Sequence, residues 1–157
     1  KAILVVFTSS IEIISLLTLK IIKSIPISGL CSSLIYWPQR EAILAGVIDK
    51  EVKVYMQDGC GEYYLERVIK TKGIPYSILT NDEGDQLLMA TGRKFLELYD
   101  FKTNVSKQSK DTEMDIYHIV YLKNCKEILA GGSSNTVIEF KIMEGSSLDP
   151  FFTKRDD

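Results

Sequence analysis

The tetrapeptide ILAG occurs twice in this 157-residue chain, at 43–46 and at 128–131. A related segment, LLMATG at 87–92, lies between the two copies and also places small residues after large apolar ones. Each of the three is followed by a short stretch of strand character: VKVYMQDG from Val52, LELYDFKT from Leu96 and VIEFKIME from Val137. The chain therefore contains a repeat, and IEIISLLT from Ile11 has the same shape.

The spacing of the repeat is regular. One bulky position recurs at Ile14, Tyr55, Tyr99 and Phe140, with intervals of 41, 44 and 41 residues. A second series opens each unit with LCSSLIY from Leu30, IPYSILT from Ile74 and IYHIVYL from Ile116. A period of 40–45 residues is typical of radial or stacked repeat architectures.

Each repeat consists of strands alone. Apolar and β-branched residues alternate or run for a few positions and then stop at WPQR, QDGCG, NDEGD or GGSSN. In the second unit the pattern predicts strands at 30–36, 42–47, 51–56 and 63–69, with a turn at Asp49-Lys50. Four short antiparallel strands in about 42 residues are typical of a propeller blade. The predicted fold is all-β, with four-stranded propeller blades in an incomplete ring.

The strand order predicts how the blades divide the chain. Residues 1–28 form a partial blade with its second to fourth strands, 29–70 and 73–108 form whole blades, and 114–157 forms a blade whose fourth strand is poorly defined. Together they make one propeller domain or part of one. Since an open arc of blades exposes sheet edges, we expect a segment of a longer propeller. The alternative is that another copy or subunit supplies the remaining blades.

The repeats resemble those of the WD-repeat β-propeller family in a degenerate form. An aromatic residue and an acid end the third strand at Tyr99-Asp100, and Asp49 matches the turn aspartate of the family. The small pair that ends the second strand is found at Ala45-Gly46, Thr91-Gly92 and Ala130-Gly131. The Gly-His pair that opens a typical repeat is missing, so the hydrogen-bonded network built on that histidine is not expected.

Composition limits the partners. The chain is 45% hydrophobic and 25% charged with a net charge of −2, which is typical of a folded protein without a surface for polyanions. Glu12 and Lys20 interrupt the apolar residues 1–30, so a membrane span is not predicted. Cys31, Cys60 and Cys125 form no paired motif, which indicates a reducing compartment. We therefore expect a cytoplasmic protein without nucleic-acid or membrane partners.

No catalytic or metal-binding motif stands out. His118, the single histidine, aligns with Ser33 and Ser77 and has no identifiable nucleophile or metal partner nearby in sequence. The GCG triplet at 59–61 fits a turn better than a reactive thiol, and NDEGD fits a hairpin better than a calcium loop. We expect no cofactor, no metal and no enzymatic activity.

The resemblance implies a scaffold for protein–protein interaction, as a subunit or segment of a larger assembly. An enzyme with its active site at the channel mouth is the alternative. In a propeller of this kind the loops at 70–73 and 92–94 emerge on one face, which predicts a basic binding surface of Lys70, Lys72, Arg93 and Lys94. An acidic protein or peptide segment is the expected partner, although Asp111 and Glu113 are placed to pair with these cations instead.

Overall fold

The computed structural model describes residues 1–81, 83–109, 111–122, 127–141 and 153–154. These residues form strands connected by short loops, with a single 3-10 turn at Pro38–Arg40 in the described part. The strands are β1 (Ala2–Val6), β2 (Ser10–Ser15), β3 (Ile21–Pro26), β4 (Cys31–Trp37), β5 (Ala42–Val47), β6 (Glu51–Gln57), β7 (Tyr63–Lys70), β8 (Ser77–Thr80), β9 (Gln86–Ala90), β10 (Leu96–Asp100), β11 (Val105–Gln108), β12 (Ile116–Leu122), β13 (Glu127–Gly132), β14 (Val137–Lys141) and β15 (Thr153–Lys154). No helix among the described residues has the length and apolar character that crossing a membrane requires.

The strands form four antiparallel sheets in which sequence neighbours pair. The first sheet has the order β1-β2-β3, and the second, third and fourth sheets are β4 to β7, β8 to β11 and β12 to β15. The strands predicted in the second unit match the observed ones to within one residue at each end. The prediction of an all-β fold with blade-like antiparallel sheets is confirmed.

The chain divides into two compact units, residues Lys1–Pro75 and Tyr76–Asp157. The first unit holds the first and second sheets, and the second unit holds the third and fourth. The partition of the chain into blades at 1–28, 29–70, 73–108 and 114–157 remains a prediction. Most of the segment at 142–157 lies outside the described residues, apart from the two residues of β15, which pair with β14.

The core of the first unit lies between its two sheets. Ile11 and Ile25 of the first sheet pack in one buried cluster with Ile43, Ala45 and Tyr55 of the second. All six residues of β5, which contains the first ILAG copy, are buried. A strand buried on both faces reads as a continuous apolar run, which explains why this segment does not alternate.

The core of the second unit is built in the same way. Leu88 and Leu96 of the third sheet cluster with Ile119, Ile128 and Phe140 of the fourth. Tyr99, the equivalent of Phe140, is 9% exposed and meets the Phe101 ring edge-on at 5.0 Å between centroids. The aligned aromatic positions are therefore buried, as the repeat predicts.

The alignment of the small pair needs a correction in the third sheet. Gly46 lies opposite Ser33 and Gly131 lies opposite His118, but the residue opposite Ser77 is Ala90. Thr91-Gly92 therefore lies beyond the end of β9. The cause is the length of the hairpin loop, because β9 and β10 are joined by residues 91–95, whereas residues 48–50 join β5 and β6.

Two hydroxyl groups make equivalent hydrogen bonds between neighbouring repeats. Ser33 Oγ donates to the carbonyl of Pro75 at 2.6 Å, and Ser77 Oγ donates to the carbonyl of Ile119 at 3.3 Å. Each bond joins residues 42 positions apart, which is one repeat. Ser33 and Ser77 therefore occupy the same position in the first strand of their sheets, here called the inner strand, and each bonds to the repeat that follows.

The predicted turns are present. Lys50 adopts a φ of 61° in the turn between β5 and β6. In the NDEGD hairpin Asn81 Oδ1 accepts from the backbone N–H groups of Asp85 and Gln86, and Gly84 has a φ of 69°. These contacts hold the hairpin in its conformation; Asp82 lies outside the described residues.

Candidate interaction surface

Lys70 ends β7 and is engaged within its own sheet. It lies opposite Glu51 of β6, and its ammonium group forms an exposed ion pair with that carboxylate. The hydrogen bond from Lys70 lowers the pKa of Glu51. Exposed pairs of this kind contribute little to stability, but the carboxylate reduces the positive charge that Lys70 can offer to a partner.

Lys72 lies on the loop that follows β7, and its side chain is exposed. Thr71 fixes this loop, since its N–H donates to the carbonyl of Lys50 at 2.9 Å and its hydroxyl to the carbonyl of Gly73 at 2.7 Å. The backbone that carries Lys72 is therefore held in a defined conformation.

Arg93 and Lys94 lie on the loop between β9 and β10, with both side chains exposed. Backbone bonds to the fourth sheet hold the loop: the N–H of Ile116 donates to the carbonyl of Arg93 at 3.0 Å. The hydroxyl of Thr112 donates to the carbonyl of Lys94 at 2.8 Å. The two cations therefore project from a loop whose main chain is fixed.

Asp111 and Glu113 are exposed on the segment before β12. Within residues 1–81, 83–109, 111–122, 127–141 and 153–154, neither acid forms an ion pair with Arg93 or Lys94. Lys70 and Lys72 belong to the first compact unit, whereas Arg93 and Lys94 belong to the second. The convergence of all four cations on one surface stays a prediction.

His118 takes the position that the alignment assigns to it. It lies on the inner strand β12 opposite Gly131, as Ser33 lies opposite Gly46, and its side chain is exposed. Among the described residues no group of three or more His, Cys, Asp and Glu side chains could hold a metal ion.

The GCG triplet forms part of a tight turn. Asp58 Oδ1 accepts from the N–H groups of Cys60 and Glu62 at 2.9 and 2.8 Å, and Gly61 has a φ of 82°. Cys60 is exposed, whereas Cys31 is half-buried and burial raises the pKa of its thiol. Cys125 lies outside the described residues.

The sequence analysis does not identify a series of buried charged side chains. Glu12, Lys53 and Glu97 each lie two positions before the aligned bulky residue of the third strand, and each is less than 8% exposed. Lys53 Nζ donates to the carbonyl and hydroxyl of Ser28, and the hydroxyl of Thr91 donates to Glu97. The signal in the sequence is a charged residue at the same repeat position, flanked by apolar residues, in three of the four units.

Glu12 differs from the other two in its bonding. Its Oε1 accepts from the hydroxyls of Ser10 at 2.6 Å and Ser24 at 2.7 Å, which lower its pKa. Its Oε2 is buried without a hydrogen-bond donor among the described residues. Only one of the two carboxylate oxygens therefore has a donor. Glu12 lies between Ile11 and Ile13, which pack with the second sheet, so its side chain is on the opposite face of the first sheet.

Acid is expected to destabilise the fold. The ion pair with Lys102 lowers the pKa of Asp85. Burial alone would raise the pKa of Asp100, but hydrogen bonds from Thr103, Gln86 and Lys102 lower it. A carboxyl group with a lower pKa in the folded chain stabilises the fold above its unfolded-state pKa. That contribution is lost as the pH falls through the folded-state pKa, so the urea midpoint should drop as the pH is lowered below about 4, the ordinary pKa of an aspartate.

The matched variant for this prediction is Asp85→Asn. It should be less stable than the wild type at neutral pH and should lose less stability on acidification, because one of the responsible carboxyl groups is gone. Equal losses in both proteins between neutral and acid pH would show that Asp85 is not among the groups that cause the effect.

Comparisons with known proteins agree with the fold. No family model matches the sequence, and no curated protein matches it. The structure is similar to the β-propeller domain of Cps50 (Swd1) from Myceliophteria thermophila, with a TM-score of 0.72 at 15% identity. It is also similar to a functionally unknown protein from Desulfotomaculum acetoxidans DSM 771, with a TM-score of 0.72 at 18% identity.

Both similarities cover most of this chain but only part of the other. They extend over 92% of this chain, and over 49% and 48% of the two solved chains. The chain therefore has the fold of a β-propeller and spans about half the length of each of these structures.

Proposed function

We propose that the protein is a non-catalytic scaffold for protein–protein interaction, acting as a subunit or segment of a larger assembly. The observation that carries the proposal is the set of blade-like sheets with a propeller fold, whose connecting loops present exposed side chains. Folds of this kind present loops on a rigid scaffold, where binding residues are commonly found. A cytoplasmic location and the lack of nucleic-acid and membrane partners remain predictions.

The proposed binding surface is the basic surface of Lys70, Lys72, Arg93 and Lys94. Lys70 is paired with Glu51, which reduces the charge that it contributes to this surface. The loops around them are held by main-chain hydrogen bonds, which limits the entropy lost when a partner binds. Lysine and arginine side chains on one surface favour an acidic protein or peptide segment.

The test is a double charge reversal, Lys72→Glu with Arg93→Glu. We expect capture of a labelled peptide rich in Asp and Glu to weaken about tenfold or more at low salt. The difference from the wild type should shrink at high salt because the attraction is screened. Fluorescence anisotropy at two salt concentrations measures both effects.

The control variant is Lys20→Glu with Lys107→Glu, which changes the net charge by the same amount at exposed positions elsewhere. It should bind the peptide like the wild type. Equal weakening in both double variants would indicate attraction by net charge alone. Unchanged binding in the Lys72 and Arg93 variant would exclude this surface and leave the WPQR and QDGCG loops to be tested.

A further inference from the structure

Two tyrosine side chains from successive repeats meet in the second compact unit. Tyr76 directly precedes Ser77 and Tyr117 directly precedes His118, so the two tyrosines take the same position in their repeats. Their rings meet edge to face, with 5.3 Å between the centroids and an interplanar angle of 87°. The repeat therefore builds an aromatic contact, here called the tyrosine pair, from residues that are far apart in the chain.

Tyr117 is the extra residue of a β-bulge. Ile116 pairs with Gly132 and His118 pairs with Gly131, so three residues of β12 face two consecutive residues of β13. A bulge changes the direction of the extra side chain, and bulges are frequent next to functional sites. The position of the Tyr117 ring is therefore set by this irregularity and not by the regular alternation of the strand.

Gly92 packs its main chain against both rings. Its φ is 63°, and a Cβ atom there would lie 2.8 Å from Tyr76 Cε2 and 3.3 Å from Tyr117 Cε1. The N–H of Gly92 donates to the carbonyl of Ile116 at 3.0 Å, which ties this loop to the start of β12. Only glycine combines this φ with so close a contact, so the loop holds the rings in one arrangement.

The fold does not require aromatic residues at this position. The equivalent residue of the second sheet is Ser32, at a similar bulge of β4, and its hydroxyl donates to the carbonyl of Pro75 at 2.8 Å. Tyr76 is 38% exposed and Tyr117 is half-buried, so neither ring belongs to the core. Within the described part of the chain, no group forms a hydrogen bond with either phenol hydroxyl. Both hydroxyls are therefore available to a ligand.

Two cations lie next to the tyrosine pair. Arg93 and Lys94 follow Gly92 on the same loop, and both side chains are exposed. The N–H of Ile116 donates to the carbonyl of Arg93, so the cationic loop runs beside the residue that precedes Tyr117. A ligand in contact with the rings is therefore within reach of positive charge.

We propose that the tyrosine pair binds a proline-rich, acidic segment of a partner protein in the polyproline II conformation. Such segments bind to surfaces lined by aromatic rings, and two perpendicular rings form an angle that can receive a proline. Because a polyproline II chain has no internal hydrogen bonds, its carbonyls can accept from the two phenol hydroxyls. Acidic residues of the segment complement Arg93 and Lys94. The proposal rests on the scaffold function and adds the chemistry of the partner.

A single-stranded nucleic acid is the other ligand that aromatic rings commonly bind. Stacked bases bring a phosphate with each nucleotide, and their binding normally requires a positively charged groove. The chain has a net charge of −2. A proline-rich segment needs only a few carboxylates and is therefore the better match for this surface.

The experiment measures the fluorescence anisotropy of labelled peptides with the 157-residue chain. One peptide repeats the triplet Pro-Pro-Glu over about twelve residues, which places a carboxylate on each turn of a polyproline II helix. A second peptide, of Ala-Ala-Glu triplets, keeps the charge without proline, and a third, of Pro-Pro-Ser triplets, keeps proline without charge. Saturable binding of the first is expected, and the other two should bind about tenfold more weakly or less.

Variants of the rings test one property at a time with the Pro-Pro-Glu peptide. Tyr76→Ala and Tyr117→Ala should each weaken binding about fivefold or more, because a ring contact is lost. Tyr76→Phe with Tyr117→Phe keeps both rings and their packing on Gly92, so it guards against loss of folding. It removes two donors and should weaken binding about fivefold. The control is Tyr64→Ala, at a tyrosine that is 51% exposed on β7, which should bind like the wild type.

The same measurements separate this proposal from the one on the basic surface. Equal binding of the Pro-Pro-Glu and Ala-Ala-Glu peptides, both weakened by Lys72→Glu with Arg93→Glu, would retain the basic surface and exclude the tyrosine pair. Binding that the tyrosine variants weaken and the charge reversal leaves unchanged would exclude the basic surface and support the tyrosine pair.

Three further results would overturn the proposal. The first is an absence of saturable binding of the Pro-Pro-Glu peptide. The second is equal binding by Tyr76→Ala, Tyr117→Ala and Tyr64→Ala. The third is tighter binding of a labelled oligothymidylate than of the peptide, which would identify the tyrosine pair as a stacking site for bases.

Discussion

Tyr55→Ala is expected to lower the free energy of unfolding by about 3–5 kcal/mol. Tyr55 is 5% exposed, and its ring packs in the cluster that joins the first and second sheets. Truncation leaves a cavity at this junction that rigid strands on both sides cannot fill. Urea unfolding followed by circular dichroism measures the loss.

Two control variants separate the packing of the ring from other effects. Tyr55→Phe keeps the ring and removes the hydroxyl, so it should retain most of the stability. Tyr64→Ala removes the same aromatic group from a position that is 51% exposed on β7, and should cost much less. A Tyr55→Ala protein as stable as Tyr64→Ala would contradict the buried role of the repeat position.

Gly46→Ala is the second substitution with a large expected effect. A Cβ atom at this position would lie 2.3 Å from Ser33 Oγ and 2.7 Å from the carbonyl oxygen of Pro75. The two atoms are joined by the hydrogen bond that links neighbouring repeats, so neither can move without weakening it. We expect a loss of about 1–3 kcal/mol, in the range of overpacked cores.

Gly131→Ala is the matched control for Gly46→Ala. Gly131 has the equivalent place in β13, but no atom of the described residues lies within 4 Å of the Cβ position there. Alanine should be tolerated at Gly131, with a stability close to that of the wild type. Equal losses at both positions would mean that the close approach of Ser33 and Pro75 does not set the need for glycine.

The sequence predicts the strands well because local patterns determine them. In the second sheet, apolar runs stop at clear turns such as Asp49-Lys50, and the predicted and observed strands agree. In the third sheet the small pair Thr91-Gly92 resembles ILAG but lies in a longer loop. Loop length varies between repeats, and a residue pattern alone does not reveal which small pair ends the strand.

The candidate site is less predictable because it depends on contacts between distant residues. The sequence predicts that Lys70 is available to bind a partner. In the structure it is paired with Glu51, 19 residues away, because the register of β6 and β7 places the two residues opposite each other. Glu12 reads as a break in an apolar segment, but pairing with Ser24 of β3 makes it a buried acceptor. The alignment of Ser33 with Ser77 was visible in the sequence, whereas their carbonyl partners were not.

The bonds from Ser33 to Pro75 and from Ser77 to Ile119 also have a consequence for how such a chain evolves. Each reaches one repeat ahead and no further, so each repeat depends on the side chains of its immediate neighbours. The energy of such an array is approximately a sum of repeat terms and nearest-neighbour terms. Duplication or deletion of a whole repeat then requires new complementarity at a single junction, while loss of the serine hydroxyl at one junction removes a donor from a main-chain carbonyl 42 positions away.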